Sequence, residues 1–337
     1  MNKMLPMPRF WAEAAGQIRI RRTLFGEFLI YLLLGLLSIF GQSLVIAIPT
    51  TGWMMEVGED SMLEALNAGE SIQSLIFKLM EDLPDWMTAV TLVGGGVMGV
   101  LAVIYCLKFQ KRSLSSMGLC GKHKLMECLL GFVLGLALVG AVLGLGVAAG
   151  GFRLASSAPD LSRLGLLALV LLGCLIYGAS LELLTRGYFA PTIGSRAPVA
   201  FALVISTLAS ALLQAGGSLF SLSVANHLLL GLLLGIWVIK RGNIWGACAM
   251  HAAWIFAENF LFDIAPVGSH GTIRVFEVDA DLFRPLISGG EYGAANSICT
   301  TVVLLAAVAA VLALKAKDAV PVRTEASGED EQHSNFL

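Results

Sequence analysis

Charge is what this sequence has least of. Lysine, arginine, aspartate and glutamate make up 14% of 337 residues, against 57% hydrophobic, a shortage that excludes the solvated surface a soluble chain of this length needs. The formal net charge of −2 offers nothing to a polyanion, so nucleic acid is excluded as a partner. Six cysteines, Cys106, Cys120, Cys128, Cys174, Cys248 and Cys299, are scattered without CxxC spacing. That excludes a disulfide framework and leaves them as small buried residues. Walker sequences, glycine-rich loops following a strand and GxSxG elbows are all missing, so nucleotide chemistry and the common serine-hydrolase plan have no support.

What the chain has instead is long apolar runs. A hydrocarbon core about 30 Å thick takes roughly 20 apolar residues per helix, and eight blocks suit it, at 24–48, 88–107, 125–149, 164–184, 198–214, 220–239, 243–263 and 294–314. The expected fold is therefore all-α, a polytopic integral membrane protein of about eight transmembrane helices. Basic residues gather at alternate ends: Arg19, Arg21 and Arg22, then Lys108, Lys111, Arg112, Lys122 and Lys124, then Arg186 and Arg196, then Lys240 and Arg241. These ends are read as cytoplasmic, which puts both termini inside and the acidic loop 50–87 outside a plasma membrane. The first block is too long for a signal-peptide core and has no small-residue cleavage pattern after it, so it is read as an uncleaved anchor. The expected organisation is a cytoplasmic N-terminus (1–23), two spans with the acidic loop (24–107), a six-helix domain (108–314) and a disordered tail (315–337).

Glycines spaced by four, Gly131/Gly135, Gly140/Gly144, Gly146/Gly150 and Gly231/Gly235, predict close helix packing. Apolar residues of 61–83 fall on one helical face, as in a helix lying along the bilayer surface or capping it. Ionisable groups inside a span need a reason. Glu182 and Arg186, four apart, are spaced for mutual neutralisation on one helix face, and Glu27 has Arg21 and Arg22 within reach.

The motifs, taken in order, give this chain a resemblance. Lys111 to Leu119, Leu181 to Tyr188, Ile205 to Gln214, Asn226 to Gly235, Gly242 through His251 and Gly289 to Gly293 resemble, in sequence and separation, successive motifs of the CPBP intramembrane metalloproteases. That family includes CAAX prenyl endopeptidases and bacterial proteins linked to bacteriocin immunity. The resemblance implies a CPBP-type bundle over 108–314. It also implies a zinc or other divalent metal held by imidazoles of FxxxH and HxxxN motifs, with the first Glu of EExxxR activating a bound water.

Several of those positions have changed here. The water-activating Glu falls on Leu181, with Glu182 and Arg186 as the remaining motif residues. The first ligand histidine falls on Gln214, an amide that suits zinc poorly and is expected to bond between helices instead. His251 keeps the second ligand position, but the Asn after it is Ile255. A one-residue shift turns a side chain by about 100°, so Glu182 is expected to face away from a site built for residue 181. Cys248 and Glu258 share a broad helical face with His251, though Glu258 is about 10 Å along the axis. His227 is the other histidine inside a span, and Asn226 beside it is expected to bond across helices.

Three functions follow. The preferred one is a CPBP scaffold whose metalloprotease site has decayed, with a binding, regulatory or immunity-type role, no cofactor, and lipid plus a peptide or membrane protein as partners. The alternative is an active metal-dependent endopeptidase with an altered site formed by His251 and Glu182 with Gln214, His227 or Glu258. A small-molecule transporter is the third, disfavoured because hydropathy shows no inverted repeat.

Overall fold

The computed structural model describes residues 4–18, 22–67, 84–155, 163–214, 221–266, 273–317 and 320. In hydrocarbon every backbone N–H and C=O must find a partner within its own segment, and the apolar blocks accordingly form helices. A short helix α1 (Arg9–Gln17) precedes α2 (Leu24–Asn67), α3 (Trp86–Phe109), α4 (Lys124–Ala148) and α5 (Leu164–Gly194). Next come α6 (Val199–Gln214), α7 (Leu222–Arg241), α8 (Trp245–Phe256, continued by a π-helical turn Ala257–Leu261) and α9 (Ile298–Ala313). Two three-residue strands, β1 (Phe152–Leu154) and β2 (Val278–Ala280), pair antiparallel with Phe152 opposite Ala280.

Five of these helices, α2 as far as Val57, α3, α4, α5 and α7, are long and apolar enough to cross a membrane. The other three expected spans are shorter. α6 and α9 have 16 residues each, about 24 Å of helix. α8 is enclosed by protein, every residue from Gly246 to Trp254 being buried. Lipid-facing positions are apolar and open: Leu36 is 62% exposed, Leu125 73% and Val133 60%. This is an all-α membrane protein.

Close backbone approach builds the centre. A Cβ on Gly131 would stand 2.0 Å from the Gly246 carbonyl oxygen, and one on Gly135 would stand 2.5 Å from that of Met250, so these glycines let α4 lie directly on α8. Gly178 of α5 meets Ala252 of α8 in the same way, at 2.7 Å. The expectation fails for Gly140 and Gly144, which have nothing within 4 Å. They lie on the α4 face away from α8, where spacing alone carries no packing.

Two boundaries also differ from the expectation. Helix α2 runs through Pro49 to Asn67, so the first part of the acidic segment 50–87 is helical. A proline removes one helical bond, here to the Val45 carbonyl, and the helix continues through it. The N-terminal segment 1–23 contains α1, whose Phe10, Trp11 and Ala14 are buried and whose Glu13 accepts bonds from Ser113 at 2.7 Å and Ser115 at 2.8 Å. The Val320 amide bonds the Met7 carbonyl at 3.0 Å, so the described ends of the chain meet at one end of the bundle. Residues 68–83, and the tail beyond 317 except Val320, lie outside the described residues.

Candidate functional site

Helix α5 changes its winding at the residues the sequence singles out. Its α-helical part ends at Glu182, and Leu183–Phe189 form a π-helical stretch, a widened turn that costs hydrogen-bond geometry and recurs at functional positions. Arg112 from the turn after α3 holds this stretch. It is 2% exposed, and its guanidinium donates to the carbonyls of Ser116 (2.7 Å), Gly187 (3.0 Å) and Tyr188 (3.3 Å). It also donates to the side chains of Ser116, Gln110 and Thr192 at 3.1–3.2 Å. Burial pulls its pKa below the ordinary arginine value.

Above that support sits a three-residue tie. Arg186 Nη1 donates to Glu182 Oε1 at 3.2 Å, and His251 Nδ1 donates to the same oxygen at 2.9 Å. Arg186 Nη2 reaches across to the Gly231 carbonyl of α7 at 2.7 Å. A Cβ at Gly231 would stand 3.1 Å from that nitrogen, so a larger residue would crowd the guanidinium. Glu182 is fully buried, and a buried carboxylate persists only when paired. Glu182 therefore faces α8 and orients His251, which corrects the expectation that it turns away. Leu181, at the position of the water-activating Glu, is 3% exposed and packs in the hydrophobic core.

The other ring nitrogen of His251 is left for a cavity of about 380 Å³. Tyr177, Gln214, His227, Trp254, Glu258 and Asn259 share its lining with His251. Its walls come from the first turns of α3 and α7, the last turn of α6 and the far half of α8. It therefore lies toward the end of the bundle opposite the basic ends of α4, α5 and α7. Tyr177 fits because α3 breaks at Gly95, where a Cβ would stand 2.3 Å from the tyrosine ring.

Gln214 departs from the expected interhelical bonding. Its amide donates within its own helix, to the Ser210 carbonyl at 3.2 Å and the Ser210 hydroxyl at 3.1 Å, because the facing wall is open cavity. Asn226 donates to the carbonyls of Ala295 (2.8 Å) and Ser297 (2.9 Å) and accepts from Thr301 at 2.7 Å, tying α7 to α9. Cys248 is buried on α8, one turn before His251. Glu258 accepts from Trp254 Nε1 at 2.8 Å, and the π-turn Ala257–Leu261 that contains it lets it line the same cavity as His251. Glu27 pairs away from Arg22, which bonds Tyr105 instead. It accepts from the Tyr188 hydroxyl at 3.0 Å and lies 3.8 Å from Arg196.

His227, which lies outside the family motif and is expected only as a member of an altered site, shares the cavity with His251. Its one available signal was its place beside Asn226 at the start of an apolar block. The residues at the family positions do not fit a metal. Leu181 has no donor atom, position 214 carries an amide, and among the described residues no three His, Cys, Asp or Glu side chains come close enough to share an ion.

Comparison with known proteins agrees with the motif order. Residues 163–257 match the family described as Type II CAAX prenyl endopeptidase Rce1-like, a stretch that holds Glu182, Arg186, Gln214 and His251 and ends one residue before Glu258. No curated protein matches the sequence. Over residues 163–257, then, this membrane protein is similar to the Rce1-like type II CAAX prenyl endopeptidases.

Proposed function

We propose that the protein is a CAAX-protease-type membrane protein that binds at its cavity without hydrolysing what it binds. One observation carries the reading: the motif's remaining carboxylate, Glu182, is committed to Arg186 and His251, and Leu181 stands where the water-activating base belongs. Loss of a general base costs a factor of about 10²–10⁴ in rate, and the amide at 214 removes a ligand as well. The partner is a peptide or another membrane protein, and the site works without a cofactor. The meeting of the described ends of the chain at the end that also carries Lys124, Arg196 and Arg241 supports a cytoplasmic placement for that end in a plasma membrane.

The competing reading, an active endopeptidase with an altered metal site, draws on His227, His251 and Glu258 lining one cavity. Elemental mass spectrometry of the purified protein, wild type beside His251→Ala, decides between them. The expected result is far less than one metal per chain in both. A near-stoichiometric metal that disappears in the variant would establish the competing reading.

A further inference from the structure

We propose that the cavity is a receptor for an organic cation, an ammonium or guanidinium group carried on an apolar body. This deepens the binding role above and rests on it. The ground is that the lining's nitrogen donors are engaged within the protein while a carboxylate and two amide oxygens are left to the cavity.

The ring, amide and indole nitrogens there donate into the protein, while the hydroxyls of Thr88, Tyr177, Ser223 and Tyr292 on the same lining can donate or accept. His251 Nδ1–H is taken by Glu182. His227 Nδ1 lies 2.8 Å from the Ser223 carbonyl oxygen, and a carbonyl only accepts, so that nitrogen carries the hydrogen. The Gln214 amide donates to Ser210, the Asn259 amide to the Ile255 carbonyl at 2.6 Å, and the Trp254 indole to Glu258. Acceptors are what remain: the amide oxygens of Gln214 and Asn259, and the carboxylate of Glu258. A carboxylate has about four acceptor positions, and Trp254 fills one. Glu258 also lies near His227 and the Ala295 backbone amide.

Charge points the same way. Glu182 is compensated by Arg186, so Glu258 is the formal anion left on the lining. The rings of Tyr177 and Trp254 on the same walls suit the apolar body and the face-on approach of a cation. A ligand with several N–H donors and one positive charge satisfies this set. An anion meets acceptors and repulsion. A bare metal ion finds too few ligands within one coordination sphere.

The test is calorimetric titration of the full chain in zwitterionic nanodiscs, with EDTA present and empty nanodiscs as blank. Three probes of similar shape are phenethylammonium, 2-phenylethanol and 3-phenylpropionate. The expected order is ammonium first, at least tenfold tighter than the alcohol, with the acid weakest. Glu258→Gln is expected to remove the ammonium's advantage while alcohol binding persists, which also reports that the variant is folded. Equal affinities, preference for the acid, no binding of any probe, or an undiminished ammonium advantage in Glu258→Gln would each overturn the proposal. Equal affinities would identify His227 as the counter-ion already in place. EDTA keeps this result separate from the metal measurement: a resident metal would sink the non-hydrolytic role, whereas loss of selectivity would sink only the cation assignment.

Discussion

The two ends of the central bundle use the same kinds of residue to opposite effect. At the basic end Arg112 spends its donors on three carbonyls and three side chains, and Glu27 lies under Tyr188 and Arg196. At the other end the amides of Gln214 and Asn259 and the indole of Trp254 donate to near neighbours, and the acceptors beside them face open space. Where bonds close on themselves the polar residues hold the fold, and where one sense of bond is left over they are available to a ligand. The Glu182–Arg186–His251 tie lies on the border, closed toward α5 and α7 and open through one ring nitrogen of His251.

Substitutions that cut the closed end should cost most. Arg112→Met leaves the carbonyls of the π-helical stretch without donors and is expected to destabilise by more than about 3 kcal/mol, since each buried acceptor left unpaired costs about 1–3 kcal/mol, read as loss of monodisperse protein and a lower Tm in detergent. Arg112→Lys should not rescue it, since an ammonium lacks the planar fork that reaches both Ser116 and Gly187. Gln214→Leu, at the open end, is expected to stay within about 1 kcal/mol of wild type. Similar losses from Arg112→Met and Gln214→Leu would remove the distinction between the ends.

Next in size is the border. Glu182→Gln strips the countercharge from buried Arg186 and leaves His251 only an uncharged amide oxygen as acceptor, with an expected loss of about 3 kcal/mol. Its thermal melt should show this even though the side chain keeps its volume. An unchanged melt would mean that the carboxylate is held neutral and the tie is not ionic. Smaller again is Gly131→Ala, whose methyl group must push α4 off the Gly246 carbonyl at about 1–3 kcal/mol, while Gly140→Ala, in open space, should be silent. Equal effects from that pair would break the assignment of the α4–α8 contact.

Much of this architecture was legible in the apolar blocks, because a backbone in lipid has few alternatives to a helix. The π-turns were not, since a widened turn leaves apolar periodicity almost unchanged. The direction of Glu182 has another cause, since Glu182 precedes the π-helical stretch. The rotation argument placed the site on the face of residue 181, whereas Gly178 and Glu182, four apart, share the face that meets α8, and the 2.7 Å approach at Ala252 fixes it there. Gly178 was the signal in the sequence. The pairing of Glu27 with Arg196, 169 positions apart, and the meeting of His227 with His251 at one cavity depend on helix order in space, which motif spacing does not carry.

The smallest effect bears most directly on the open end. Trp254→Phe keeps an aromatic wall but deletes the indole N–H that Glu258 accepts at 2.8 Å. Releasing one position on the carboxylate should strengthen phenethylammonium binding by about threefold, with 2-phenylethanol unchanged. Stability should change little, because cavity water replaces the lost donor. Tighter binding would mean that the indole competes with the ligand for Glu258. Weaker binding would mean that it aims the carboxylate, and the donors around the cavity would then be positioning devices and not merely groups withdrawn from it.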